Sequence, residues 1–156
     1  MEGAEKEARW WFLQAEDDLR FVEWIWKEGS FFDKGCFISQ QAGEKALKAC
    51  LYGRGERRVI GHSLFEMVQV ISNTEKTFGT IVDEARRLDR FYTTARYPNA
   101  LPGGSPFQIY TVHDLAEAHK DVKKVFEVSR KFLQKKELSS KKGEFGLGGQ
   151  TFTIRQ

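Results

Sequence analysis

Apolar residues recur at intervals of three and four along the start of this chain. Ala8, Trp11, Phe12, Ala15, Leu19, Val22 and Trp26 share one face of a helix predicted over about residues 4–27. Glu16, Asp17 and Arg20 take the other side, and Gly29 supplies the stop. A second helix is predicted over about residues 34–52, with Asp33 as its cap. Cys36, Ser39, Gly43, Ala46 and Cys50 form a stripe of small residues along it, with Phe37, Leu47 and Leu51 beside them. Such a stripe lets another helix come close. Gly53 and Gly55 end the pattern.

Ser63 and Glu66 stand at the spacing of a capping box, in which the hydroxyl accepts from the Glu66 amide and the carboxylate returns to the cap. They open a short helix over about residues 64–72 that buries Leu64, Met67, Val68 and Ile71. A fourth helix is predicted over about residues 76–92. Phe78, Ile81, Val82, Ala85, Leu88 and Tyr92 point inward, and Glu84, Arg86, Arg87 and Arg90 form a solvated face. Residues 93–110 hold Pro98, Pro102, Pro106 and the pair Gly103-Gly104, which predicts a structured loop without helix. Thr111 and Asp114, at capping spacing, open a last helix over about residues 112–136. Its inward set is Leu115, His119, Val122, Val125, Phe126, Ser129, Phe132 and Leu133.

The pattern predicts an all-α, up-and-down bundle of four to five helices spanning residues 1–137. Residues 138–156 read as a flexible or strand-like tail. Ser139-Ser140-Lys141-Lys142-Gly143 has the composition of a linker, and Thr151-Phe152-Thr153-Ile154 alternates.

Composition narrows the class. At 156 residues, with 40% hydrophobic and 30% charged side chains, one globular domain is expected rather than a disordered chain. A net charge of +3 permits contact with a polyanion but is small for a dedicated duplex binder. Cys36 and Cys50 lie 14 residues apart on one helix, about 21 Å by the helical rise and too far for a disulfide. Two reduced thiols suit a cytoplasmic protein. No apolar run reaches the roughly 20 residues of a membrane span, and the charged N-terminal stretch lacks the apolar segment of a signal peptide. His113, His119 and the two cysteines have no zinc-binding spacing, so no metal and no cofactor are expected. Neither a phosphate-binding P-loop nor a dinucleotide-binding glycine motif is present.

Three stretches together resemble the HEPN domain family, in its prokaryotic, nucleotidyltransferase-associated form, and are also similar to the HEPN domain of sacsin. The first is residues 15–56, centred on Gln40-Gln41-Ala42-Gly43-Glu44-Lys45-Ala46-Leu47-Lys48-Ala49. The second is Gly61-His62-Ser63-Leu64, and the third is Arg96-Tyr97-Pro98. Gly43 stands where the family more often has alanine. The resemblance covers about residues 5–135 and implies a helical bundle that commonly forms homodimers. It also implies a minimal nucleotidyltransferase as partner in a toxin–antitoxin-like pair, with a nucleotide or RNA as ligand. Other branches of the family are metal-independent ribonucleases that use an arginine, four to six residues, then a histidine.

The candidate binding site is Arg96-Tyr97-Pro98-Asn99. A guanidinium offers a planar fork to phosphate, and a tyrosine ring offers a stacking face. Against this stands a structural role, with Arg96 paired to a carboxylate and Tyr97 packing the loop down. No histidine follows Arg96 at ribonuclease spacing, since the nearest is His113. Arg57 and His62, four residues between them, match the count, as transition-state stabiliser and general base. A histidine beside a helix cap is more often structural. His119 reads as a satisfied core histidine. The basic run Lys120, Lys123, Lys124, Arg130, Lys131, Lys135 and Lys136 offers either helix-end electrostatics or weak phosphate contact. A domain with no ligand at all is the remaining alternative. Trp10, Trp24 and Phe31 are the aromatics expected to supply a dimer interface.

Overall fold

Periodic burial organises the chain into a first helix, α1 (Glu2–Glu28), whose inner face is Ala8, Phe12, Ala15, Val22 and Ile25. Ile25, not Trp26, closes this face. Trp26 is 38% exposed and rests its ring edge on His119. Gly29 ends the helix at φ 70, a left-handed conformation that glycine adopts without strain, and its amide caps the Ile25 carbonyl. The computed structural model describes residues 2–143, with side chains for residues 3–137. The alternating segment Thr151–Ile154 lies outside the described residues.

The helix α2 (Phe32–Gly53) starts earlier than the cap at Asp33 predicts. Phe31 precedes it in a left-handed conformation, and Asp33 lies buried in the first turn, bonded to Lys34. The small-residue stripe is buried from Cys36 to Cys50, and it makes α2 the central helix, touching every other described α-helix. A Cβ on Gly35 would meet Leu115 Cδ1 at 2.6 Å, and one on Gly43 would meet Leu64 Cδ2 at 2.6 Å. At both points a leucine side chain of a neighbouring helix packs directly against bare backbone.

The helix α3 (Leu64–Ser72) buries Leu64, Met67, Val68 and Ile71. Only half of the expected capping box forms. Ser63 Oγ accepts from the Glu66 amide, but a carboxylate from elsewhere, that of Asp89, takes the Leu64 and Phe65 amides. The predicted fourth helix is broken into a 3-10 turn (Lys76–Ile81), α4 (Val82–Asp89) and α5 (Phe91–Thr94). Thr77, Gly79 and Thr80 are weak helix formers, and Thr80 Oγ1 bonds back to the Thr77 carbonyl. Glu84 is not on a solvated face. It is buried between Arg87 and Lys124.

A short helix, α6 (Pro106–Ile109), interrupts the proline-rich loop. Proline is tolerated there because it occupies the first helical position, where its missing N–H has no partner to lose. The last helix, α7 (Val112–Gly143), runs through the stretch read as a linker. Lysine and serine there contain no breaker, so composition alone misplaced its end. Among the described residues there is no strand, and the molecule is an all-α bundle. No described helix is long and apolar enough to cross a membrane.

Candidate functional site

Arg96 follows α5, four residues after Tyr92, so both side chains rise on one side of the same helical turn. The Arg96 Nε–H donates to the Tyr92 carbonyl at 2.7 Å. The guanidinium carbon lies 4.5 Å from the Phe37 ring centre, 4.6 Å from that of Tyr92 and 5.0 Å from that of Tyr97. Among the described residues no carboxylate pairs with it. Its two terminal nitrogens make no hydrogen bond among the described residues, and the side chain is exposed. Tyr97 is 49% exposed, and Pro98 and Asn99 are exposed beside it. These residues turn back through a bond from the Ala100 amide to the Tyr97 carbonyl. Tyr110 pins the loop through its hydroxyl to Thr94 and its ring against Phe91.

The same tyrosine brings in a residue from a distant part of the chain. The His62 ring stacks on Tyr92 with centres 4.8 Å apart and planes at 18°. Its Nδ1 donates to Glu44 Oε1 at 2.7 Å, and Nε2 makes no hydrogen bond among the described residues. Glu44 is buried and also holds Lys48 at 3.1 Å and the Gln41 amide at 3.0 Å. Gln40 Nε2 donates to the His62 carbonyl. Residues of the Gln40–Ala49 run thus support His62 from below. Phe37, Glu44 and Tyr92 escaped the sequence reading as site residues. The four-residue step from Tyr92 to Arg96 was the available signal; nothing local announces Phe37 or Glu44.

Arg57 is not part of this group. It is exposed in the loop after α2, and no hydrogen bond, ion pair or ring contact joins it to His62. His119 faces Glu23 at 3.4 Å. Several cations of α7 are already paired: Lys124 with Glu84, Arg130 with Glu16 and Lys131 with Glu127. His113 lines an open cleft of about 410 Å³ with Arg87, Glu117 and Lys120. A second cleft of about 540 Å³ lies between the 3-10 turn and α7. Neither includes Arg96 or His62. Burial pushes the Cys36 thiol far up, with Asp114, Asp33 and Glu117 adding to it. Burial raises Cys50 to about 12 despite its bond to the Ser129 carbonyl. Both are poor nucleophiles. Among the described residues no group of three or more His, Cys, Asp or Glu side chains could hold a metal ion.

The fold and site define a class: a small helical bundle that presents an arginine, wrapped by aromatic rings, beside a carboxylate-bound histidine. The HEPN domain model matches residues 8–138. TT1696 from Thermus thermophilus is 31% identical with a TM-score of 0.73, covering 83% of this chain and 98% of that one. ST0689, an archaeal HEPN homologue, is 29% identical with a TM-score of 0.67, covering 81% of this chain and 98% of its own. An HEPN domain protein from Thermotoga maritima is 27% identical with a TM-score of 0.62, covering 80% and 97%. No curated protein matches the sequence. The chain belongs to the HEPN domain family.

Proposed function

We propose that this chain is a cytoplasmic HEPN binding module that takes a nucleotide phosphate or an RNA end at Arg96, Tyr97, Pro98 and Asn99. In this reading residues 1–137 form the binding bundle, and α7 continues from it to Gly143. It works as a homodimer and partners a minimal nucleotidyltransferase in a toxin–antitoxin-like pair, and the partner does the phosphate chemistry. One observation carries the proposal: the Arg96 charge is exposed and unneutralised, held in place by a carbonyl and three ring faces. An arginine used only for structure commonly ends on a carboxylate; this one keeps its outer fork for an incoming anion. Tyr97 offers a ring beside it for a base.

Calorimetry with ATP and with a short 5′-phosphorylated RNA tests the reading. A micromolar Kd is expected for at least one. Arg96→Ala weakens it by about tenfold or more, equivalent to about 1.4 kcal/mol, with the thermal midpoint nearly unchanged. Arg96→Lys recovers only part, because an ammonium lacks the planar fork. Absence of heat with both ligands, or equal affinity in Arg96→Ala, refutes it and leaves the ligand-free interaction domain.

A second reading, a metal-independent ribonuclease, is favoured by the Glu44–His62 pair. A carboxylate that fixes Nδ1 leaves Nε2 as a general base, and Arg96 shares the Tyr92 ring with it. RNA cleavage in a chelator, abolished by His62→Ala and retained in Arg57→Ala, would establish it.

A further inference from the structure

The outer side of α1 carries a second apolar stripe. Trp10 is 55% exposed, Leu13 38%, Phe21 46% and Trp24 54%. Ala8, Phe12, Ala15, Val22 and Ile25 already bury the inner side against the bundle, so this stripe is surplus to the monomer's core. Phe21 and Trp24 stack on each other at 6.1 Å, and Lys6 lies over Trp10 at 4.7 Å. A row of large apolar groups on a solvent-facing helix marks an interaction surface.

The order of residues along this stripe is symmetric about Asp17. Four positions to either side stand Leu13 and Phe21. Seven positions to either side stand Trp10 and Trp24. Eleven positions to either side stand Lys6 and Glu28, one cation and one anion. All seven residues are exposed. The steps of four, three and four keep them on one face of the helix. A helix laid antiparallel on a copy of itself, with the two-fold axis beside Asp17, therefore sets Trp10 against Trp24 and Leu13 against Phe21. It also sets Lys6 against Glu28, each contact made twice. A two-fold interface demands this self-complementarity, in which each residue meets its mirror in the order. An unrelated partner helix would have no need of it. Asp17 would face its own copy, and Arg20, 3.5 Å from Asp17 within the chain and itself exposed, is placed to screen that repulsion.

We propose that a second copy of this chain docks antiparallel on the outer face of α1, centred on Asp17. This deepens the homodimer of the proposed function and rests on that reading only for the expectation of a pair. The surface involves none of Arg96, Tyr97 or His62, so nucleotide titration of the same samples succeeds or fails independently.

Sedimentation of the full chain tests it. A reversible dimer is expected, and Leu13→Glu or Trp24→Glu raises its Kd at least about tenfold while circular dichroism stays native. Lys6→Glu weakens the dimer, and adding Glu28→Lys restores it, because the charges exchange across the axis. Asp17→Cys, treated with a short bis-maleimide, gives a covalent dimer; Val70→Cys, exposed on α3, does not. Cys36 and Cys50 are buried and do not compete. A chain that stays monomeric at its highest soluble concentration overturns the proposal. So does a dimer indifferent to Leu13→Glu, or a charge exchange that fails to restore Lys6→Glu.

Discussion

Gly43 occupies a point where two neighbouring helices leave little room for a side chain. A Cβ there would sit 2.6 Å from Leu64 Cδ2 and 3.6 Å from Leu88 Cδ1, and both leucines are fully buried. A single methyl can be taken up by rotation of Leu64. It also gains about 1 kcal/mol of helix propensity. A branched side chain cannot be taken up. Gly43→Val is expected to lower the unfolding free energy by about 1–3 kcal/mol in urea titrations, while Gly43→Ala stays close to the parent. At this scale the sequence was informative, because a stripe of small residues at helical spacing has few other uses. Arg96 was less legible. Its type and its neighbour Tyr97 suggested phosphate, but whether an internal acid neutralised it depended on which groups fold beside it.

The helix α3 depends on a residue far along the chain. Nine residues make a helix too short to persist alone in water. Asp89, at the end of α4, accepts from the Leu64 amide at 2.7 Å, the Phe65 amide at 3.1 Å and Ser63 Oγ at 2.8 Å. Its negative charge also sits at the positive end of α3. Asp89→Ala is expected to cost about 1–2 kcal/mol, in the range of a lost cap. Faster amide exchange confined first to α3 would identify the cause, and equal exchange across the bundle would argue against it. Ser63 announced the helix start, but the stronger cap could not be read locally. The 3-10 turn before α4 teaches a similar lesson. Phe78 and Ile81 keep an inward pattern, so the period looked like one long helix, while the backbone of Thr77–Thr80 settled otherwise.

Across the whole molecule, charge pairs tie α4 to α7. Arg87 makes two bonds to Asp121, at 2.8 and 2.9 Å, and Lys124 reaches Glu84 at 3.1 Å. Burial alone would raise the Glu84 pKa, but its own amide, Lys124 and Arg87 outweigh burial and hold it below the ordinary value of 4.5. A carboxylate depressed on folding adds stability above its unfolded pKa and loses it as pH falls through the folded one. The thermal midpoint is therefore expected to drop as pH falls below about 4.5, with a shallower slope in Glu84→Gln. Glu16 contributes with the opposite sign, since burial against Arg130 leaves its pKa raised. An identical slope in parent and Glu84→Gln would show that other groups dominate the acid limb.

The sequence by itself determined where α1, α2, α3 and the start of α7 lie and, at most positions, which side of each faces inward, because amphipathic periodicity is a local property of a single helix. It also carried the family through runs such as Gln40–Ala49 and Arg96–Pro98. Only the tertiary structure decided that Glu84 is buried, that Asp89 caps α3, and that His62 joins Arg96 through Tyr92 while Arg57 does not. Those outcomes rest on contacts between residues some twenty-five to forty positions apart. Such contacts depend on the crossing of helices in space, which no local pattern specifies.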